Sequence, residues 1–163
     1  MLCRSEILPV PAYDPQDVAL MEVAIAQARA GGIEGEVPVG AVIALDGQVV
    51  AAAHNRPIIL KDPTAHAEVL AIRAAGAALN SYRLTGATIY VTLEPCTMCI
   101  GAIINARIRR LMFGARDPKA GAAGSVYDIG RDGRLNHRVE IYSGLMEAQC
   151  AGMLGEFFAQ RRG

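Results

Sequence analysis

In Glu94-Pro95-Cys96-Thr97-Met98-Cys99 two thiols stand three positions apart, and His66-Ala67-Glu68 lies upstream of them. One imidazole, two thiols and a spare carboxylate form the set that a catalytic zinc centre needs, because such a centre keeps a fourth position open for water. At i and i+3 of a helix, Cys96 and Cys99 have Cβ atoms about 5–6 Å apart on one face. Two short thiolates placed this way can converge on one ion at about 2.3 Å each. In the first turn behind Pro95 they also sit at an electropositive helix N-terminus, which favours the thiolate form. His66 and Glu68, two residues apart, would point about 200° from each other on a regular helix. The sequence therefore predicts that His66 belongs to the entry turn and that the longer Glu68 curls back beside it. There Glu68 is a non-ligand that takes a proton from the activated water and later returns it to the reacting molecule.

Taken alone, a C-x-x-C pair more often marks a structural zinc half-site or a redox dithiol. Here no second C-x-x-C exists to complete a four-cysteine site, and an H-x-E lies one helix upstream. A structural site that borrows Cys3 or Cys150 is one rival; a thioredoxin-like dithiol is another, but it has no use for His66 and Glu68. His54 and His137 flank strands and read as hydrogen-bonded edge residues. Glu94 is either an acceptor behind the ligands or a group that satisfies the Pro-Cys turn. Arg107, Arg109 and Arg110 alternate with Ile108 and Leu111, a pattern that a solvated face explains as well as a binding surface does.

The elements that must position these residues follow from periodicity. Asp14-Pro15 is an N-cap followed by an N1 proline, Val18, Met21, Ile25 and Ala28 recur at helical spacing, and Gly31-Gly32 ends the helix. Residues 37–45 and 48–53 are apolar runs joined by Asp46-Gly47, a strong hairpin signal. The chain leaves the sheet at Asn55-Arg56-Pro57, and Asp62-Pro63-Thr64 starts a second helix that runs to about residue 79. Residues 87–92 read as a buried strand, 96–105 as a helix and 108–113 as a further strand, the succession of a right-handed parallel crossover. A glycine-rich loop over 114–133, a strand over 138–142 and an amphipathic helix over 145–161 complete a single domain, residues 14–163. Residues 1–13, with Pro9 and Pro11, read as a flexible N-terminal extension. In such α/β sheets ligands gather beyond the carboxyl ends of parallel strands, where residues 94–99 fall.

The chain has 163 residues, 52% of them hydrophobic, enough for one substantial core. Cys3, Cys96, Cys99 and Cys150 suit metal binding in a reducing compartment better than a disulfide framework. No apolar run approaches the roughly 18 residues of a membrane span, and residues 1–10 lack the pattern of a secretory signal, so a cytoplasmic protein without a membrane partner is expected. The formal net charge is zero, but its distribution is uneven. Residues 1–50 hold two basic side chains against seven acidic, and residues 107–138 hold eight basic against three acidic. A neutral chain can thus carry a basic face.

H-x-E followed by P-C-x-x-C is the signature of zinc-dependent nucleobase deaminases. Further segments extend it: E-V-P-V-G-A-V (36–42), H-N-R-P (54–57), D-P-T-A-H-A-E (62–68), Y-V-T-L-E-P-C-T-M-C (90–99), F-G-A-R-D (113–117), G-A-A-G-S (121–125) and N-H-R-V-E-I (136–141). From about residue 15 to the end the chain resembles the bacterial tRNA-specific adenosine deaminases of the zinc-dependent cytidine/deoxycytidylate deaminase superfamily. The resemblance implies a three-layer α/β/α cytidine-deaminase-like fold around a mixed five-stranded central sheet. It implies one Zn2+ per subunit on His66, Cys96 and Cys99, and Glu68 as proton shuttle. Zinc-activated water would attack C6 of adenine at the wobble position of the tRNA anticodon, releasing ammonia and leaving inosine. It also implies that Asn55 holds the flipped adenine, that Val37, Pro38, Val39 and Phe157 wall the pocket, and that Asp117, Lys119, Asn136 and Arg162 contact the RNA loop. The partners implied are a tRNA anticodon stem-loop and a second copy of the chain in a homodimer. Two rivals stand beside this: a deaminase of free guanine or cytosine, and an RNA-binding module whose metal is structural.

Overall fold

The computed structural model describes residues 14–162. The expectations for residues 1–13, including Cys3, lie outside the described residues. In chain order the elements are α1 (Pro15–Ile33), β1 (Gly40–Leu45), β2 (Gln48–His54), α2 (Pro57–Leu60), α3 (Ala67–Leu79), β3 (Thr88–Leu93), α4 (Thr97–Asn105), β4 (Arg110–Ala115), a 3-10 turn (Ile129–Arg131), β5 (Glu140–Ser143) and α5 (Glu147–Arg161). The strands form one mixed sheet in the order β2-β1-β3-β4-β5.

The direction of each strand decides where the site lies. β1 pairs antiparallel with both β2 and β3, so those two run the same way, and β4 and β5 run parallel to β3. The carboxyl ends of β2, β3 and β4 and the amino end of β1 therefore share one edge. Asn55, Glu94, Arg116 and Val39 lie there, although they are far apart in sequence.

Alternate residues of each strand face opposite sides, and the two cores follow that alternation. Ala41 and Ile43 of β1 and Ile89 and Val91 of β3 pack with Ala67 and Ala71 of α3 and Ile100 and Ile103 of α4. Val42 and Ala44 of β1 and Tyr90 of β3 pack with Met21 and Ile25 of α1 and Cys150 of α5. The expected three layers are present: α3 and α4 on one face, α1 and α5 on the other. Among the described residues no helix is long and apolar enough to cross a membrane.

Several boundaries move for local reasons. Asp14 caps α1 as its sequence suggests, accepting from Gln16 N at 2.9 Å. Asp46 and Gly47 both take positive φ, as a tight hairpin requires. β1 begins at Gly40 rather than 37, because Val39 N bonds back to the Val37 carbonyl at 2.8 Å and the chain bends before it joins the sheet. The second helix begins at Ala67, not at 62–64. The Asp62 carboxylate instead closes a local turn with Thr64 N and Oγ1, and a one-turn helix, α2, stands where only an exit loop is expected. β4 starts after Arg107, which adopts a left-handed backbone at φ 61.

Arg110 is not part of a solvated face. It donates to Asp17 Oδ1 at 3.0 Å and to the Tyr90 hydroxyl at 3.2 Å, and Tyr90 donates to the same carboxylate oxygen at 2.6 Å. This network ties α1 to the sheet and satisfies an otherwise costly buried carboxylate.

Gly40 marks the tightest contact between α1 and the sheet. A Cβ there would run into the Ala24 carbonyl oxygen and lie 2.7 Å from Ala28 N, both backbone atoms. Gly152 of α5 has open space at the same position. Chemical denaturation is expected to show Gly40→Ala destabilised by about 3 kcal/mol or more, and Gly152→Ala stabilised by about 0.5–1 kcal/mol.

Candidate metal centre and nucleobase pocket

His66 is the N-cap of α3, with an extended backbone at φ −73 and ψ 152, and Cys96 is the N-cap of α4, extended at φ −76 and ψ 179. Neither side chain caps its own helix; both turn toward a common point. His66 Nδ1 lies 3.7 Å from Cys96 Sγ and 3.5 Å from Cys99 Sγ. All three donor atoms fall within 4.8 Å of one another. The edge of a tetrahedron with metal–sulfur bonds of about 2.3 Å and a metal–nitrogen bond of about 2.0–2.1 Å measures roughly 3.5–3.8 Å. The three donors are already spaced to take one metal ion and leave a fourth position free.

Because the His66 ring faces the thiols, another group must cap α3. Asn55 does so: its Oδ1 accepts from Ala67 N at 2.8 Å, and its own N–H donates to the Val39 carbonyl. These bonds fix the amide with its NH2 end free of protein partners among the described residues. This capping role does not show in the sequence, since donor and cap are 12 residues apart.

Glu68 is 3% exposed, in the first turn of α3. Burial pushes its carboxyl above the usual carboxylate range, against hydrogen bonds from the Cys99 thiol and its own N–H. The Cys96 thiol is held down to about 3, first by the hydrogen bond from Cys99 and then by His66. The Cys99 thiol is pushed up by the same hydrogen bond and by burial, and the His66 imidazole is raised mainly by Cys96.

The centre opens into a cavity of about 270 Å³. Val37, Val39, Pro57 and Leu93 give it apolar walls, and His66, Glu68, Cys96 and Asn55 form its chemical end. Asp117 and Ala120, from the loop after β4, close the other side. Val37 and Val39 precede β1 and Asp117 follows β4, so they flank β3 from opposite sides.

A family model described as MafB19-like deaminase matches residues 16–162. A tRNA-specific adenosine deaminase of Agrobacterium fabrum is 51% identical over 142 residues, 87% of this chain and 93% of that protein. One from Bacillus subtilis is 45% identical over 147 residues, 90% of this chain and 91% of that protein. The chain belongs to the tRNA-specific adenosine deaminase family. A solved structure from work on A-to-I editing by tRNA wobble-position deaminases covers 83% of the chain and 99% of its own at 51% identity, with a TM-score of 0.81.

Not all of the expected pocket residues of this family member reach the cavity. Pro38 does not line it. With Phe157 it lines a separate groove between α1 and α5, together with Arg29 and Ile33. Phe157 is on the opposite layer, and Arg161 stacks over its ring at 4.0 Å. Lys119 is exposed on the rim loop, Asn136 accepts from Arg107 at 3.0 Å, and Arg162 is exposed at the end of α5. None of these three lines the cavity.

His54 and His137 are structural. The His54 ring lies 2.9 Å from both Gln27 Oε1 and Glu34 Oε2, linking β2 to α1. His137 donates to the Ile108 carbonyl at 2.7 Å. Cys150 lies in the core on the other face of the sheet, which removes it as a fourth ligand. Glu36, fully buried, accepts from Ile58 N and Ile59 N at the start of α2. A lone glutamate before Val37 gives no sequence signal for that role.

When zinc is offered and the excess removed, elemental analysis is expected to find about one ion per chain. His66→Ala and Cys99→Ala should each fall well below half of that, and Glu68→Gln should keep it. Full occupancy in Cys99→Ala would contradict the ligand set.

Proposed function

We propose that this chain deaminates adenosine to inosine at the wobble position of a tRNA anticodon, with zinc held by His66, Cys96 and Cys99 and with Glu68 moving the proton. The observation that carries this reading is a buried carboxylate, Glu68, that lines the same cavity as His66 and Cys96 of a convergent His-Cys-Cys group. A purely structural metal site has no need of such a carboxylate.

The donor set fits zinc, with two thiolates, one imidazole and one open position. A zinc ion bound there supplies Lewis acidity that makes water a competent nucleophile near neutral pH. Glu68 accepts a proton from the attacking water as its oxygen bonds to C6, and delivers that proton to the ring. Glu68 then carries the remaining proton of that water to the exocyclic amino group, whose bond to C6 breaks so that it leaves as ammonia, and the water oxygen remains as O6 of inosine. A carboxyl raised by burial is suited to both halves of this transfer. Asn55, with Oδ1 committed to Ala67 N, presents its NH2 to an acceptor on the base, while Val37 and Val39 shield the ring from water.

An anticodon loop suits the cavity, because an unpaired base is cheap to flip out of its stack. Of the basic residues in 107–138, Arg110, Arg131 and Arg134 are paired with Asp17, Asp128 and Asp132. Lys119 and Arg138 are exposed and are the better placed to meet phosphates. Asp117 on the rim, Asn136 and Arg162 are further candidate loop contacts. The working unit is a homodimer in the cytoplasm, with the basic segment 107–138 at the junction between the two copies.

Incubation with an anticodon stem-loop carrying adenosine at the wobble position, followed by nucleoside analysis, is expected to yield inosine. Glu68→Ala should lower the rate by about 10²–10⁴-fold while zinc stays bound. Turnover of free guanine or cytosine with none of the stem-loop would contradict the substrate, and an active Glu68→Ala would contradict the mechanism.

A further inference from the structure

Glu94 stands two residues before Cys96 at the end of β3 and is 3% exposed. It borders the cavity, yet its carboxylate is turned to the loop after β4. Oε1 accepts from Ala123 N and Ser125 N, each at 3.0 Å. Oε2 accepts from Asp117 N at 2.9 Å and from the Ser125 hydroxyl. A carboxylate offers about four lone-pair sites, and all four are taken. None is left for a metal ion, a water or a substrate atom.

The backbone beside Glu94 is joined to the same loop. Glu94 N donates to the Ala115 carbonyl at 2.8 Å, and Ala122 N donates to the Pro95 carbonyl at 2.9 Å. Gly121 makes the close approach possible: a Cβ there would run into the Glu94 carboxylate and lie 2.6 Å from the Asp117 carbonyl oxygen. Residues 116–128 have little regular structure of their own beyond one isolated bridge, Ala123 to Asp128. Besides turns closed within the loop and the burial of Ala122 and Ala123 in the core, these bonds hold it against β3, and it carries Asp117 and Ala120 into the cavity wall.

We propose that Glu94 is a positioning residue that sets the loop wall of the nucleobase pocket in register with the metal ligands. The turn that presents Cys96 also holds Asp117 to Ser125, so the Glu94 carboxylate, together with the two backbone bonds beside it, sets the distance from the reacting centre to that wall. Glu94 thereby governs how well the flipped nucleotide and its neighbours are held, and leaves the chemical step to His66, Glu68, Cys96 and Cys99. The inference rests on the RNA-deaminase reading given above.

Steady-state kinetics on the anticodon stem-loop, with zinc content measured alongside, test it. Glu94→Gln puts an NH2 group against two donors, and Gly121→Ala pushes the carboxylate away from the other side. Both are expected to raise KM about tenfold or more, with kcat within about threefold of wild type and zinc still at one per chain. Ser125→Ala removes one donor of four and should raise KM about two- to threefold. Loss of zinc, a kcat loss above tenfold at unchanged KM, or no change in either constant would overturn the proposal. If Glu94→Gln does not fold, Gly121→Ala and Ser125→Ala decide the matter. If the wild-type protein leaves the stem-loop untouched, the substrate reading fails, and amide exchange then judges the clamp. Glu94→Gln should speed exchange at Asp117, Ala123 and Ser125 while Ile100 in α4 stays protected, and unchanged exchange at those three would refute the clamp.

Discussion

His66 and Cys99 meet because two helices begin at the same edge of one sheet. β1 runs against its two neighbours, which brings the carboxyl ends of β2 and β3 together. The connections that leave those ends lead to α3 and α4, whose first turns carry His66, Cys96 and Cys99. Reversing either strand would carry its helix to the far edge and separate imidazole from thiols by the length of the sheet. Much else at this edge serves that meeting: Asn55 caps α3 so that His66 can face the thiols, and α4 begins with Cys96 in an extended backbone.

The same edge explains how one chain segment comes to border both the His66-Cys96-Cys99 cluster and the pocket. Glu94-Pro95-Cys96 follows β3, the central strand of the sheet, with the segment before β1 on one side and the loop after β4 on the other. The central position lets one turn touch both walls. Burial then sets the chemistry. Glu68 shares its surroundings with the core of α3, so its carboxyl is raised, while a neighbouring thiol and imidazole hold the Cys96 sulfur low.

The ligands and the glutamate can be read from the chain because their spacing is local: two thiols on one helical turn, and a histidine two residues before a carboxylate. The five strands are legible for the same reason, since short apolar runs and the Asp46-Gly47 turn are short-range signals. Residues whose role depends on a distant partner are harder to read. Asn55 as a cap, Glu36 as the acceptor at α2 and Arg110 in the Asp17–Tyr90 network each act across the fold, and nothing beside them in sequence marks it. Pro38 and Phe157 fail as wall residues of the single chain for a geometric reason. Pro38 lines the groove between α1 and α5, and Phe157 belongs to the helix layer on the opposite face. The basic excess of residues 107–138 is also reduced once folded, because several of its arginines bind carboxylates within the chain.

The proposed chemistry needs a metal centre with three protein ligands and one open position, the feature that separates a catalytic site from a structural one. X-ray absorption at the zinc edge of the loaded wild-type protein measures this directly. The expected result is two sulfurs at about 2.3 Å, one imidazole nitrogen at about 2.0–2.1 Å and one light atom from solvent. A third sulfur, or a second imidazole in the fourth place, would contradict it.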